Sequence, residues 1–395
     1  MSNVLCIYEN KIATVKILEN QFNEMKRYLS GSNFSFRNVL NINKRILLEN
    51  DILIMIRPNH KIFEKIAKKA QKNGLIIIYY TDDDLMNLPK GLPDIPWRKR
   101  GMYESLKYAD VIMSPNRYLC EKYASLCGTV RKVILNTTVE KKEVNNYLDN
   151  YSRNKRLKFL YAASASHAVL FDNNIKPILA NLDKKYGDEI EFAFIGVHPE
   201  LNTSKYHFPI TFYDFLPLND YRNLVKSERF DIGLAPLNID DFSKCKYFNK
   251  FIEYTMSGIV GVYTNTEPYT LIVEQGINGF LVDNQPQEWL KTLSYVIENR
   301  DIIGKCRKNA HDFLISKFNS KTISNELINQ LPELLESHKE RQSKSENFVM
   351  DKLYYSGSRF CDWIYKFFYY LKNGGVKKVI KVLKFHIKTS LRNNK

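Results

Sequence analysis

Short apolar runs recur along this chain at intervals that leave room for one helix between each pair. VLCIY (4–8), ILIMI (52–56), LIIIYY (75–80), VIM (111–113) and KVIL (132–135) are separated by amphipathic stretches such as KIFEKIAKKAQKNG. Unbroken apolar runs of this length fit strands buried on both faces, which are the strands of a parallel sheet covered by helices. After a polar stretch at 140–156 the pattern restarts with KFLYAA, IEFAFIG, ITFYDF, DIGLAP, IVGVY and GFLV. Two successive α/β domains are expected, 1–150 and 151–340. A length of 395 residues exceeds one ordinary core, and 44% apolar residues are ample for two. From 286 onward the pattern is mostly helical, and 341–395 reads as a helical return segment with a basic tail.

Charge and cysteine narrow the class. The net charge is +16, but from Lys372 to Lys395 there are eight Lys or Arg and no acid, so half of the excess sits in one terminal stretch. No DNA or RNA motif accompanies it, and nucleic acid is not expected as a partner. Cys6, Cys120, Cys127, Cys245, Cys306 and Cys361 have no metal-ligand spacing, and the first residues lack the pattern of a signal peptide. A reduced, cytoplasmic protein without a metal site is expected. LIIIYY is far shorter than the ~20 residues of a membrane-spanning helix.

In open, doubly wound sheets ligands sit beyond the carboxyl ends of the strands. The segments in that position are polar: RPNH (57–60), TDDDL (81–85), SASH (164–167) and PLNIDDFSKCKYFNK (236–250). Each by itself is also what an ordinary solvated loop looks like. Together they would rim a cleft between the domains. In FNKFIEYTMSG (248–258), Phe251, Ile252, Thr255 and Met256 give an apolar face at helical spacing, Gly258 suits the position after the helix, and Ile259–Tyr263 is a short strand. Lys250 and Glu253 then share one face near the helix start, where they would meet a ligand or form a surface ion pair.

DIGLAPL (231–237), KYFNKFIEYTMSG (246–258) and EPYTLIVEQGINGFLVDNQPQEWLKTL (267–293) resemble the carboxy-terminal domain of GT-B glycosyltransferases related to family 4. LYAASASHAVLFDNNIKPIL (160–179) resembles the opening of that domain. NDILIMIRPNH followed by IIIYYTDDDLMNLP is similar to polysaccharide-assembly members with an acidic run after a strand. The resemblance covers roughly residues 50–320. It implies a GT-B fold, two Rossmann-like doubly wound domains facing a central cleft, with a C-terminal helical extension. The implied activity is transfer of a sugar from a nucleotide-diphosphate sugar to a saccharide acceptor, with no cofactor beyond that co-substrate and no metal.

The resemblance also assigns roles. The helix amino end and Lys250 would meet the donor diphosphate, with Lys246 or Lys244 in support. Glu253 stands where the family has the second Glu of a pair and would bond the ribose. Eight residues upstream, in the place of the first Glu, is Cys245. Asn249, Tyr254, Tyr269 and Ser164 complete the expected nucleotide side. Asp82, Asp83, Asp84 and His167 are the catalytic candidates, at least one of the aspartates facing the acceptor hydroxyl; an Asp-rich helix cap before Leu85 is the alternative. Arg57 and His60 are placed on the acceptor side. A GT-B sugar-nucleotide epimerase, or a non-enzymatic module binding through its basic end, are the other classes.

In the tail, Val376, Ile380, Leu383, Ile387 and Leu391 recur at helical spacing, while Lys377, Lys381, Lys384, Lys388 and Arg392 run beside them. Such a stripe pair suits an anionic membrane surface or packing on a partner or on the protein itself. Peripheral attachment to the inner face of the cell membrane, with a lipid-linked acceptor in surface polysaccharide or capsule synthesis, is the expectation.

Overall fold

The computed structural model describes residues 2–29, 31–88, 93–128, 130–140, 156–164, 168–336 and 349–393. The chain divides into two compact units, Met1–Leu135 with Ser324–Lys395, and Asn136–Ile323.

In the first unit, β1 (Asn3–Tyr8), β2 (Asn33–Asn38), β3 (Ile52–Ile56), β4 (Ile76–Tyr80), β5 (Val111–Ser114) and β6 (Arg131–Ile134) form a parallel sheet in the order β2-β1-β3-β4-β5-β6. All five residues of β3 are buried, as an unbroken ILIMI run requires of a strand with helices on both faces. The winding reverses between β1 and β3, so the switch point, where such sheets open a ligand crevice, lies at Glu9 and Arg57. Strand β2 has no counterpart among the apolar runs. It is an edge strand of sequence NFSFRN and is only half buried.

The second unit has β7 (Leu157–Ala162), β8 (Ile190–Ile195), β9 (Ile210–Tyr213), β10 (Ile232–Ala235), β11 (Val260–Thr264) and β12 (Phe280–Val282), all parallel, in the order β12-β11-β10-β7-β8-β9. Its switch point is between β7 and β10. Alternation along β7 builds two cores: Leu157, Phe159 and Tyr161 join Phe192, Phe194 and Trp289 on one face, and Leu160 and Ala162 join Phe251, Tyr254 and Tyr263 on the other. Gly233 and Gly261 are paired neighbours in β10 and β11. A Cβ on Gly233 would lie 2.4 Å from the Tyr254 ring, and one on Gly261 would lie 1.9 Å from the Tyr263 ring. These glycines make the space that two tyrosines fill.

The units differ from the boundaries expected at 150 and 340. Residues 141–155 lie outside the described residues. Residues 324–336 pack with the first sheet, because the hydroxyls of Ser2 and Ser32 both donate to the Leu334 carbonyl and the Gln330 amide brackets the backbone of Ile134. The helical extension is the segment Val349–Asn393, interrupted at Gly375, whose φ of 63° lies in the left-handed region. It packs against the Lys61–Lys72 helix. Among the described residues no helix is long and apolar enough to cross a membrane.

Candidate functional site

Two groups of side chains stand at carboxyl ends of strands, one in each unit. In the second unit the second helix after β10, Asn249–Met256, begins at that edge. Phe251, Ile252, Tyr254 and Thr255 bury one face. Gly258, at φ 73°, ends the helix: its N–H bonds the Thr255 carbonyl and the N–H of Ile259 bonds the Tyr254 carbonyl, the two bonds of a Schellman cap. At the opposite end Phe248 offers no side-chain cap.

One turn in, the Lys250 Nζ donates to Glu253 Oε2 at 2.7 Å, each side chain about one-third exposed. The ammonium also lies 5.5 Å from the centre of the Tyr221 ring and 5.6 Å from that of Tyr254. Tyr254 donates its hydroxyl to the Leu234 carbonyl, and Tyr269 is buried against Tyr263 with ring centres 4.6 Å apart. Burial works to discharge Lys250, but the Glu253 carboxylate outweighs it and the ammonium is held above its usual range. Burial pushes the phenols of Tyr221, Tyr254, Tyr263 and Tyr269 upward, so they stay neutral. The arrangement is one fixed cation and one carboxylate with free lone pairs, walled by neutral aromatics.

Lys250, Glu253, Tyr254 and Tyr269 are therefore brought together. Asn249 is exposed in the first turn, Lys246 is half-buried with its ammonium 5.5 Å from the Phe242 ring centre, and Ser164 is exposed just beyond β7. His167 lies outside the described residues. Cys245 is buried at the end of the short helix Asp241–Lys244, whose N-cap Asp240 accepts from the Ser243 N–H at 2.7 Å.

In the first unit Arg57 follows β3 with φ 48°, in the left-handed region, and its N–H bonds the Tyr80 carbonyl at the end of β4. That turn aims the guanidinium at the acidic run: Nε donates to Asp82 and Nη2 to Asp83. The Thr14 hydroxyl donates to Asp82 Oδ2 at 2.9 Å, and Thr81 donates to the Asp83 carbonyl. One guanidinium thus holds two carboxylates together at the strand ends. Asp84 is different. It is buried and engaged by Lys122 at 2.8 Å, by Asn87 and by the Tyr123 hydroxyl. No helix starts at Leu85, so the acidic run is not a helix cap.

His60 caps the Lys61–Lys72 helix, Nδ1 accepting from the Ile62 N–H at 3.0 Å while Nε2 meets the Ser358 hydroxyl. Burial lowers it to about 4, so the ring is neutral. Its position is that of a structural cap beside the C-terminal helix.

A further cluster was not expected. Glu9 directly follows β1 and accepts both Nη groups of Arg98, at 2.7 and 2.8 Å. Asp362 accepts from Arg98 Nε at 2.7 Å and from Trp97 Nε1 at 2.6 Å, and Arg359 and Tyr355 add bonds to Glu9. The strand-end rule would have found Glu9; Arg98 and Asp362 sit within helices and carry no local signal.

Among solved structures the chain is similar to Anabaena Alr3699/HepE in complex with UDP and glucose, at 12% identity over 84% of this chain and 100% of that one, with a TM-score of 0.56. It is also similar to the lipopolysaccharide outer core galactosyltransferase WaaB, at 15% identity over 84% of this chain and 99% of that one, TM-score 0.55. Sucrose-phosphate synthase from Thermosynechococcus elongatus matches at 9% identity over 85% of this chain and 99% of that one, TM-score 0.58. The chain has the GT-B fold. No family model matches the sequence, and no curated protein matches it. At such identities the likeness of these GT-B proteins is one of architecture, and the roles of individual residues rest on the geometry above.

Proposed function

We propose that the chain is a glycosyltransferase that moves a sugar from a nucleotide-diphosphate sugar to a saccharide acceptor. The observation that carries this reading is the Lys250–Glu253 pair in a tyrosine-walled helix mouth at the carboxyl edge of the second sheet. Lys250 and the first-turn N–H groups would meet the diphosphate, where negative charge grows as the anomeric C–O bond breaks. Glu253 would accept from the ribose hydroxyls, and Tyr221 and Tyr269 would wall the base. Asn249, Lys246 and Ser164 border the same edge.

On the acceptor side, Asp82 and Asp83 would orient the attacking hydroxyl, with Asp83, the more exposed of the two, receiving its proton as the new C–O bond forms. Arg57 fixes both carboxylates. The leaving charge is met by Lys250 and the helix end, so we propose a metal-independent reaction without a further cofactor. We extend the proposal to a lipid-linked acceptor in surface polysaccharide synthesis, met by a cytoplasmic protein held peripherally at the inner membrane face through 376–395.

The test is direct. Thermal-shift and calorimetric binding are measured with UDP, GDP, dTDP and CMP, then with the matching sugar nucleotides. Lys250→Ala and Glu253→Ala should each weaken the preferred nucleotide by about 1.5–3 kcal/mol, the value of a charge-assisted hydrogen bond, with the fold intact. Unchanged affinity in both variants removes this site.

A further inference from the structure

Between Tyr355 and Leu371 the C-terminal helix buries an aspartate and exposes large apolar side chains, the reverse of a helix that faces water. Inward, Tyr355 and Asp362 are buried and bound to Glu9, Arg98 and Trp97. Outward, Phe360 is 64% exposed, Trp363 55% and Phe368 62%. At about 100° per residue, Phe360, Trp363, Ile364, Phe367, Phe368 and Leu371 fall within an arc of roughly 140°. No Asp, Glu, Lys or Arg of positions 356–374 falls in that arc. Beside it an open groove of about 1030 Å³ runs between the helix and Trp97, lined by Ile364, Tyr365, Phe368 and Tyr369 and ending at Lys372. Past the break at Gly375 the outward stripe resumes with exposed Val376, Ile380 and Leu383, flanked by exposed Lys377 and Lys384.

We propose that this outward face, from Phe360 to Leu383, seats the protein on an anionic bilayer surface. The inference deepens the lipid-linked acceptor reading and rests on it. An exposed apolar face of this size marks an interface. Charge chooses the occupant: the apolar arc runs directly into a stretch with eight basic residues and no acid, so a second copy of this chain would bring like charges together, whereas anionic head groups neutralise them. Trp, Phe and Tyr in that setting are the side chains that settle at the level of the head groups. The helix is bolted by its inward face to Glu9 at the end of β1, so docking holds the membrane beside the strand ends of the first sheet, which also carry Asp82 and Asp83.

The full chain is tested for co-sedimentation with vesicles of phosphatidylcholine alone and of phosphatidylcholine with phosphatidylglycerol, at low and high salt, with Trp363 fluorescence quenched by brominated lipid. The parent should bind the anionic vesicles, weakly at high salt. A Phe360→Ser, Trp363→Ser, Phe368→Ser variant should bind at least tenfold more weakly at a nearly unchanged unfolding midpoint, since all three side chains are more than half exposed and the ring contacts of Trp363 and Phe368 are with Phe367 on the same helix. A Lys377→Gln, Lys378→Gln, Lys384→Gln variant should lose the salt-sensitive part and retain quenching. Vesicle binding by the aromatic variant equal to the parent's overturns the proposal, as does no binding by the parent at low salt. Self-association of the parent that the aromatic variant abolishes, without vesicle binding, also overturns it and assigns the face to a second copy. Nucleotide affinity on the same samples separates the two readings: vesicle binding without nucleotide binding removes the donor site and leaves the membrane face standing.

Discussion

An arginine in left-handed backbone costs roughly 1–2 kcal/mol relative to an ordinary conformation, and Arg57 adopts it where it can reach two carboxylates at once. The three consecutive aspartates consequently have unlike fates, which substitution separates. Asp83→Asn should lower transfer by about 10²-fold or more while leaving nucleotide affinity and the unfolding midpoint close to the parent values, as for loss of a positioned base. Asp84→Asn should do the reverse: it strips the ionic partner from Lys122 in a buried site and should cost about 1.5–3 kcal/mol of stability, read by denaturant unfolding. Equal stability loss in both would mean that Asp83 is structural too. Gly261→Ala places a methyl 1.9 Å from the Tyr263 ring, an overpacking expected to cost about 1–3 kcal/mol by the same measurement.

At the level of elements, the C-terminal helix is fastened by groups that acid disarms. Burial by itself would raise the Glu9 carboxyl, but the guanidinium of Arg98, joined by that of Arg359, brings it down to about 2 from 4.5. A carboxyl depressed by folding contributes fully above its unfolded value, and the contribution disappears as pH falls from 4.5 to 2. His60, lowered by burial to about 4 from 6.5, is held neutral, so its contribution is complete above 6.5 and is lost as pH falls through 4. The helix should therefore loosen in acid in two stages, first between pH 6.5 and 4 and then between 4.5 and 2, seen as hydrogen-exchange protection factors at 355–371 falling before those of the sheets. His60→Asn should remove the first stage. Protection factors that stay constant from pH 7 to 3 would contradict this. Elements were legible in the sequence wherever burial on both faces wrote an unbroken apolar run. β2 was not, because an edge strand of NFSFRN keeps half its side chains in solvent. That Lys250 and Glu253 share one helix face was legible from their spacing of three, and the structure pairs them. Tyr221 was not, because its approach to Lys250 is made by tertiary packing from another helix.

For the whole molecule, the proposed donor site falls within the unit Asn136–Ile323, and nucleotide should stabilise only that unit. In differential scanning calorimetry, nucleotide at 100 times its Kd should raise one transition by about 2.7 kcal/mol and leave the other in place. A uniform shift of a single transition would show instead that the units unfold together. The first unit is assembled from both ends of the chain, and one of its fastenings is the Leu334 carbonyl, 332 residues from Ser2 and 302 from Ser32. On the ribosome, at ~5–20 residues per second, those two hydroxyls stay unanswered for roughly 15–65 s. The contiguous unit emerges and can close within that interval. The order of synthesis thus makes the contiguous unit the early folder and leaves the unit built from both chain ends open to chaperones until translation is nearly done.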